Sequence, residues 1–337
     1  MIADVLIIGG GPAGLESAAC ISEFGHKAVL IERESQLGGH LLKWDRLFPD
    51  SIPSSQFCER LTGNTGNSKV ITNSNILSIK RDNGRFISKL TTGESVESKT
   101  LLMTTGFALF AAEKKQEYGY NLYNRVITNS DLEDIFKKGT VTGTEKPAKI
   151  GFVHCVGSRD EKACNRNCSK VCCVTAVKQA IELKEMFPES EIFCFYMDLR
   201  MFGRGYEDLY LEAQTKYGIR FIRGRVSEVS EDINGNLIIK AEDTLISKPV
   251  RITLNLLVLM TGIIPDQDNS NLIQQLGVKL ADDGFVYSPD PLYGSGKTNI
   301  DGLFVAGSVT GPKTLPEVIN EARSTSLEIH NYLISKD

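Results

Sequence analysis

The residues with the most chemistry to offer are five cysteines crowded into one stretch: Cys155, Cys164, Cys168, Cys172 and Cys173. Thiolates ligate metals and iron–sulfur clusters, and they exchange disulfides. The spacing is Cys155-x12-Cys168-x3-Cys172-Cys173, with Cys164 as an extra. A 4Fe–4S cubane wants four cysteines. Cys168 and Cys172 are one helical turn apart, so a helix over residues 168–186 would face them to one side. Cys173 would point about 100° further round. Cys155, at the end of a strand over residues 149–154, could close the cage. Zinc sites usually pair cysteines as CxxC, and that pair is missing. Redox thiols also favour CxxC, and a bridge between vicinal Cys172 and Cys173 would be strained. A cluster is the leading expectation, with redox thiols and zinc left open behind it. The isolated Cys20, Cys58 and Cys194 are expected as buried small hydrophobes.

A second constellation opens the chain. An apolar run over residues 4–8 ends in Gly9-Gly10-Gly11-Pro12-Ala13-Gly14, a helix pattern follows, and a second apolar run ends at Glu32 and Arg33. Gly9 permits a tight turn, Gly11 lets a pyrophosphate approach the backbone, and Gly14 lets helix and strand pack closely. The helix N-terminus presents free N–H groups to phosphate, and Glu32 can accept hydrogen bonds from ribose hydroxyls. The segment with Gly38, Gly39 and His40 resembles the one that follows the ribose-binding acid in two-dinucleotide-fold flavoproteins. An apolar strand runs into Thr105-Gly106, and residues 256–260 before Thr261-Gly262 repeat that pattern. A later strand ending at Gly307 looks like the one that meets a flavin ribityl chain. Together these segments favour FAD over NAD, with Arg33, Ile76, Thr105, Gly106, Gly307 and Ser308 as further contacts. That superfamily usually has Asp where Ser308 stands, so one charge-assisted hydrogen bond is exchanged for a neutral one.

Positioning both constellations takes two domains, which 337 residues can supply. Residues 1–110 read as the first half of an FAD domain with a β-ribbon between Val70 and Thr92. Residues 111–252 read as an inserted Rossmann-like domain holding the cysteines, and residues 253–337 as the second FAD half, closed by a helix over 315–333. The fold class is α/β. Net charge is −4 with scattered basic residues, which speaks against a nucleic-acid partner. The N-terminus has no signal-peptide pattern, and no apolar run reaches the roughly 18–20 residues of a membrane span. A cytoplasmic protein without membrane insertion is expected.

The architecture resembles the thioredoxin-reductase type of two-dinucleotide-binding-domain flavoprotein. In that family the inserted domain carries its own GxGxxG for NADPH; here the matching strand leads into Cys155-Val156-Gly157-Ser158-Arg159-Asp160. The run from Phe152 through Cys173 to Ala180, with Phe202-Gly203-Arg204-Gly205-Tyr206-Glu207 and Gly307-Ser308-Val309-Thr310-Gly311-Pro312-Lys313, resembles the A subunit of heterodisulfide reductase. The resemblance implies FAD and one 4Fe–4S cluster on Cys155, Cys168, Cys172 and Cys173, with Cys164 departing from the family pattern. It places Lys178 near the flavin, where a cation would favour reduced, anionic flavin; the alternative for Lys178 is a solvated helix lysine. It implies an electron-transfer subunit of a heterodisulfide-reductase-like complex in sulfur metabolism, a homodimer with other subunits as partners. The compact length resembles the A subunit of the sulfur-oxidising form. The alternatives are a stand-alone NAD(P)H-dependent flavin disulfide reductase and the flavin subunit of a quinone-interacting oxidoreductase.

Overall fold

Runs of branched apolar residues interrupted by glycine build a parallel sheet at the start of the chain. The computed structural model describes residues 1–139 and 146–336; residues 140–145, within the expected insertion, and residue 337, within the expected second FAD half, lie outside the described residues. Strand β1 (Ile2–Ile8) runs parallel to β2 (Ala28–Ile31) on one side and to strand Ser95–Met103 on the other. Val5, Leu6 and Ile7 are fully buried, as a strand covered on both faces requires. Helix α1 (Pro12–Glu23) joins β1 to β2 and starts on a proline, whose missing N–H costs nothing in a first turn. Strands Lys69–Ile71 and Leu303–Val305 and the antiparallel ribbon Ile76–Asp82 with Arg85–Leu90 complete a 7-stranded sheet. The C-terminal helix Leu315–Lys336 packs along α1.

The chain divides into two compact units. The first comprises Met1–Leu42, Ser54–Ala108 and Ile264–Asp337; the second comprises Lys43–Pro53 and Leu109–Ile263. The second unit has its own 5-stranded sheet, all parallel. Strand β3 (Lys149–Val156) lies between β4 (Glu191–Tyr196) and β5 (Leu256–Thr261), with Val126–Thr128 and Arg220–Arg223 at the edges. Helix α2 (Cys172–Met186) and helix α3 (Tyr206–Thr215) belong to this unit, and its core gathers Phe152, Ala176, Val177, Ala180, Cys194 and Val258. A 3-stranded antiparallel sheet spans Val226–Glu231, Leu237–Asp243 and Lys248–Leu254.

Three sequence expectations need correction. Residues 43–53, expected within the first FAD half, group with the second unit, because short apolar stretches there do not say which core they join. Residues 253–263 do not return to the FAD domain: β5 is an inner strand of the second unit, buried along its whole length. An apolar strand running into Thr-Gly suits either parallel sheet, so the pattern alone cannot say which one it joins. The helix expected over residues 168–186 starts only at Cys172. Lys170 sits at φ +62°, and Ser169 Oγ accepts the Ile263 N–H at 2.7 Å. Both hold the chain out of helical geometry, so Cys168 and Cys172 do not share a helix face. Among the described residues, no helix is long and apolar enough to cross a membrane.

Candidate functional site

In the first unit the expected flavin-binding residues gather at the head of α1. Gly9 lies at φ +112°, and a Cβ there would stand 2.6 Å from Thr104 O. At Gly14 a Cβ would fall 1.9 Å from Gly9 O. Gly11 differs: a Cβ there meets nothing within 4 Å, and α1 has no side-chain cap. Open space before an uncapped helix N-terminus is what a pyrophosphate needs. Gly38 N–H donates to Gly10 O at 2.8 Å. Gly39 lies against Gly11, and Gly307 against Ala13. Glu32, 7 % exposed, accepts the Gly10 N–H at 2.6 Å and the Glu34 N–H at 2.8 Å, leaving further lone pairs for hydroxyl donors.

Thr105 lies beside Gly9, and its buried Oγ1 has no hydrogen-bond partner. A buried orphan hydroxyl asks for one; with the open cradle at Gly11, it makes this donor set a fit for FAD. His40 stacks on Phe107, with ring centroids 4.1 Å apart. Arg33 instead ion-pairs with Asp268 at 2.9 Å and Asp266 at 3.3 Å, and Ile76 packs into the core of the unit. One pair escaped the sequence reading. Glu321 accepts the Gly307 N–H at 2.6 Å, and Lys313 Nζ donates to Gly307 O at 3.2 Å and pairs with Glu321 at 3.4 Å. Burial raises the Glu321 carboxyl above its usual range. A carboxylate therefore stands one residue from Ser308, delivered by the C-terminal helix. Lys313 closes the run that begins at Gly307; nothing local marks Glu321.

In the second unit the cysteines sit at the end of β3 and the head of α2. The β3–β5 register shifts between Val153 and Val156, and Cys155 adopts φ +59° there. Cys155 Sγ lies 4.0 Å from Cys172 Sγ, and Cys173 Sγ donates to Asp198 O at 3.7 Å. All three thiols are free and buried. Hydrogen bonds to Cys155 and Cys173 push the Cys172 thiol up, and the same bonds push the other two down. Cys168 is half-buried on the loop before the helix, its Sγ accepting the Lys170 N–H at 3.3 Å; Cys164 is exposed. Among the described residues no three His, Cys, Asp or Glu side chains converge on a single-ion site. In donor chemistry the four expected ligands suit a thiolate-bound cluster.

The turn after β3 has none of the openness of the turn at Gly11. A Cβ on Gly157 would lie 2.1 Å from the Phe110 ring, and residues 157–171 intervene before α2 begins. The backbone approach a pyrophosphate needs is therefore filled by an aromatic ring.

Lys178 is not solvated; it is 3 % exposed. Its Nζ donates to Glu133 Oε1 at 2.7 Å and to Arg46 O at 3.0 Å, and pairs with Glu182 at 3.2 Å. Gln179 Nε2 also donates to Glu133 at 2.7 Å. Burial outweighs Lys178 and pushes the Glu182 carboxyl up to about 7. The folded chain holds this proton more tightly than the unfolded one. Glu182 thus favours the fold fully below the ordinary carboxyl range, and that contribution is lost as pH rises through about 7, on the order of 3 kcal/mol. Glu182→Gln should raise Tm by about 5 °C near pH 8 and by little near pH 5; melting curves that differ equally at both pH values would contradict the assignment.

A family profile, pyridine nucleotide-disulphide oxidoreductase, matches residues 3–143 and 174–326. The gap between those stretches holds all five clustered cysteines. The chain is 38% identical to the CoB–CoM heterodisulfide reductase iron-sulfur A subunit of Methanocaldococcus jannaschii, over 67% of this chain and 36% of that protein. It is 30% identical to one of the corresponding A subunits of Methanopyrus kandleri, over 96% of this chain and 63% of that protein. The chain therefore spans from about a third to under two thirds of the length of these relatives. In fold it is similar to the thioredoxin reductase of T. acidophilum, with a TM-score of 0.70 at 18% identity and 99% of both chains covered. The resemblance to heterodisulfide reductase A subunits and the two-dinucleotide-domain fold are both borne out, and the family implies FAD and an oxidoreductase. With most of its length matched by that profile, the chain belongs to the pyridine nucleotide-disulphide oxidoreductase family.

Proposed function

We propose that this chain is a cytoplasmic electron-transfer subunit carrying FAD and one 4Fe–4S cluster, working with other subunits of a heterodisulfide-reductase-like complex in sulfur metabolism. The observation that carries the proposal is where the thiols lie. Cys155, Cys172 and Cys173 occupy the strand end and helix head at which a dinucleotide fold receives its nucleotide, and they are buried there. The printed names of the relatives, iron-sulfur subunits of heterodisulfide reductases, support the same reading.

Gly9, Gly11, Pro12, Ala13 and Gly14 would hold the FAD pyrophosphate and Glu32 a ribose, with Gly38, Gly39, His40, Thr105, Gly106, Gly307 and Ser308 completing the contacts. Cys155, Cys168, Cys172 and Cys173 would hold the cluster. Bound there, FAD would supply paired or single electron exchange and the cluster single electrons. Lys178 is assigned as the cation serving the flavin. Glu133 and Glu182 hold its Nζ in place.

The test is iron, acid-labile sulfide and flavin content after purification without oxygen. About four irons and four sulfides per FAD are expected. Stoichiometric FAD without iron, even after reconstitution, would overturn the cluster. A second reading, a flavin-linked dithiol, would then take over, and the 4.0 Å approach of Cys155 to Cys172 favours it.

A further inference from the structure

We infer that the arginine-rich face beside the cysteines is the docking surface for an acidic electron-carrier protein. This rests on the proposed electron-transfer function and adds to it the chemistry of the partner.

The chain leaves β4 at Tyr196 and passes beside Cys173, with Asp198 O 3.7 Å from its Sγ. Guanidinium groups crowd around the Asp198 carboxylate. Arg159 binds it at 2.8 Å and Arg223 approaches at 3.6 Å. Arg225 reaches Arg159 O at 3.3 Å and Met197 Sδ at 3.0 Å, and Arg200 adds its charge from the same loop. Asp198 is too little to neutralise them, and Glu242 is the other carboxylate of the hollow, about 710 Å³, that Arg223 and Arg225 line. The chain as a whole carries −4, so this face opposes its overall sign. Asp198 also holds Arg159 and Arg223 in place before any partner arrives, which lowers the ordering cost of binding.

Two further features point to a protein. Phe202 projects from the same loop, 67 % exposed, and aromatic anchors among arginines are the typical centre of a protein interface. A dinucleotide would have to extend from this hollow along the turn after β3, where the Phe110 ring already packs against Gly157. The location beside Cys173 gives the partner a reason to bind there. A carrier exchanging electrons must come close to the buried cysteine end, and complementary charge steers and orients that encounter.

The experiment measures binding of a plant-type ferredoxin, as acidic probe, to the full chain, alongside iron content. The affinity should fall about tenfold or more from low to high ionic strength. Arg223→Glu with Arg225→Glu should weaken it by a similar factor while iron is retained. Lys216→Glu reverses a charge at the other end of α3, about 15 Å along the helix, and should change nothing. Basic cytochrome c should not bind. Should the double variant misfold, the salt response of the unaltered chain still decides. Binding that ignores both salt and charge reversal overturns the inference, as does displacement of the probe by NADPH. Arginine-dependent binding in a chain that holds no iron would sustain the docking surface and remove the cluster.

Discussion

Gly14→Ala should yield a chain that barely folds, whereas Gly11→Ala should fold normally and lose its flavin. The two glycines stand three residues apart in one turn, and the contrast comes from what surrounds each. At Gly14 the new methyl would meet the Gly9 carbonyl at 1.9 Å. That oxygen belongs to the backbone of the same tight turn and cannot step aside, so a loss of about 3–5 kcal/mol is expected, above the usual cost of overpacking. At Gly11 the backbone is extended, with φ −76° and ψ −176°, a conformation any residue adopts. The methyl enters open space, so the flavin-free protein should melt within about 0.5 kcal/mol of the unaltered chain. The same methyl stands where the pyrophosphate would approach, and FAD affinity should fall about 100-fold, or roughly 3 kcal/mol. Melting of flavin-free protein and FAD titration on each variant separate the effects. Equal flavin retention in both would place the cofactor elsewhere.

Cys173→Ser should strip iron from the chain while leaving FAD in place. Serine keeps the shape but offers a hydroxyl that neither ionises readily nor matches iron in softness. Cys173 is buried at the head of α2, fixed there by the helix backbone. Iron should drop from about four to below one per chain. Cys164→Ser should keep all of it, since that thiol is exposed on a turn of its own. Retained iron in the Cys173 variant, or lost iron in the Cys164 variant, would redraw the ligand set. Flavin absorbance reports in the same samples whether the first unit remains intact.

Much of this was legible in residue order because the informative contacts are local. Strand, glycine turn, helix and terminal acid fall within the first 32 residues, and their task follows from backbone sterics alone. The strand Glu191–Tyr196 and the C-terminal helix likewise announce themselves by pattern. What escaped depends on contacts far apart in the chain. Helix α2 starts late because Ser169 is tied to Ile263, a bond across 94 positions. Strand β5 belongs to the second sheet because it pairs with β3, and an apolar run does not name its neighbour. Lys178 looks like a surface residue until Glu133, 45 positions earlier, is brought against it. Periodicity predicts which face is buried, never which charge will be waiting there.

The backbone at Cys155 has an energetic corollary. A non-glycine residue at φ +59° carries a standing penalty of about 1 kcal/mol that glycine would not. Exchanging Cys155 for glycine would relieve that strain but give up the packing of a core side chain only 7 % exposed. The same exchange would restore the residue type with which an ordinary nucleotide-binding turn begins. Strain and packing therefore pull against each other at Cys155, whereas at Cys172 and Cys173 the helical backbone and the burial both oppose glycine.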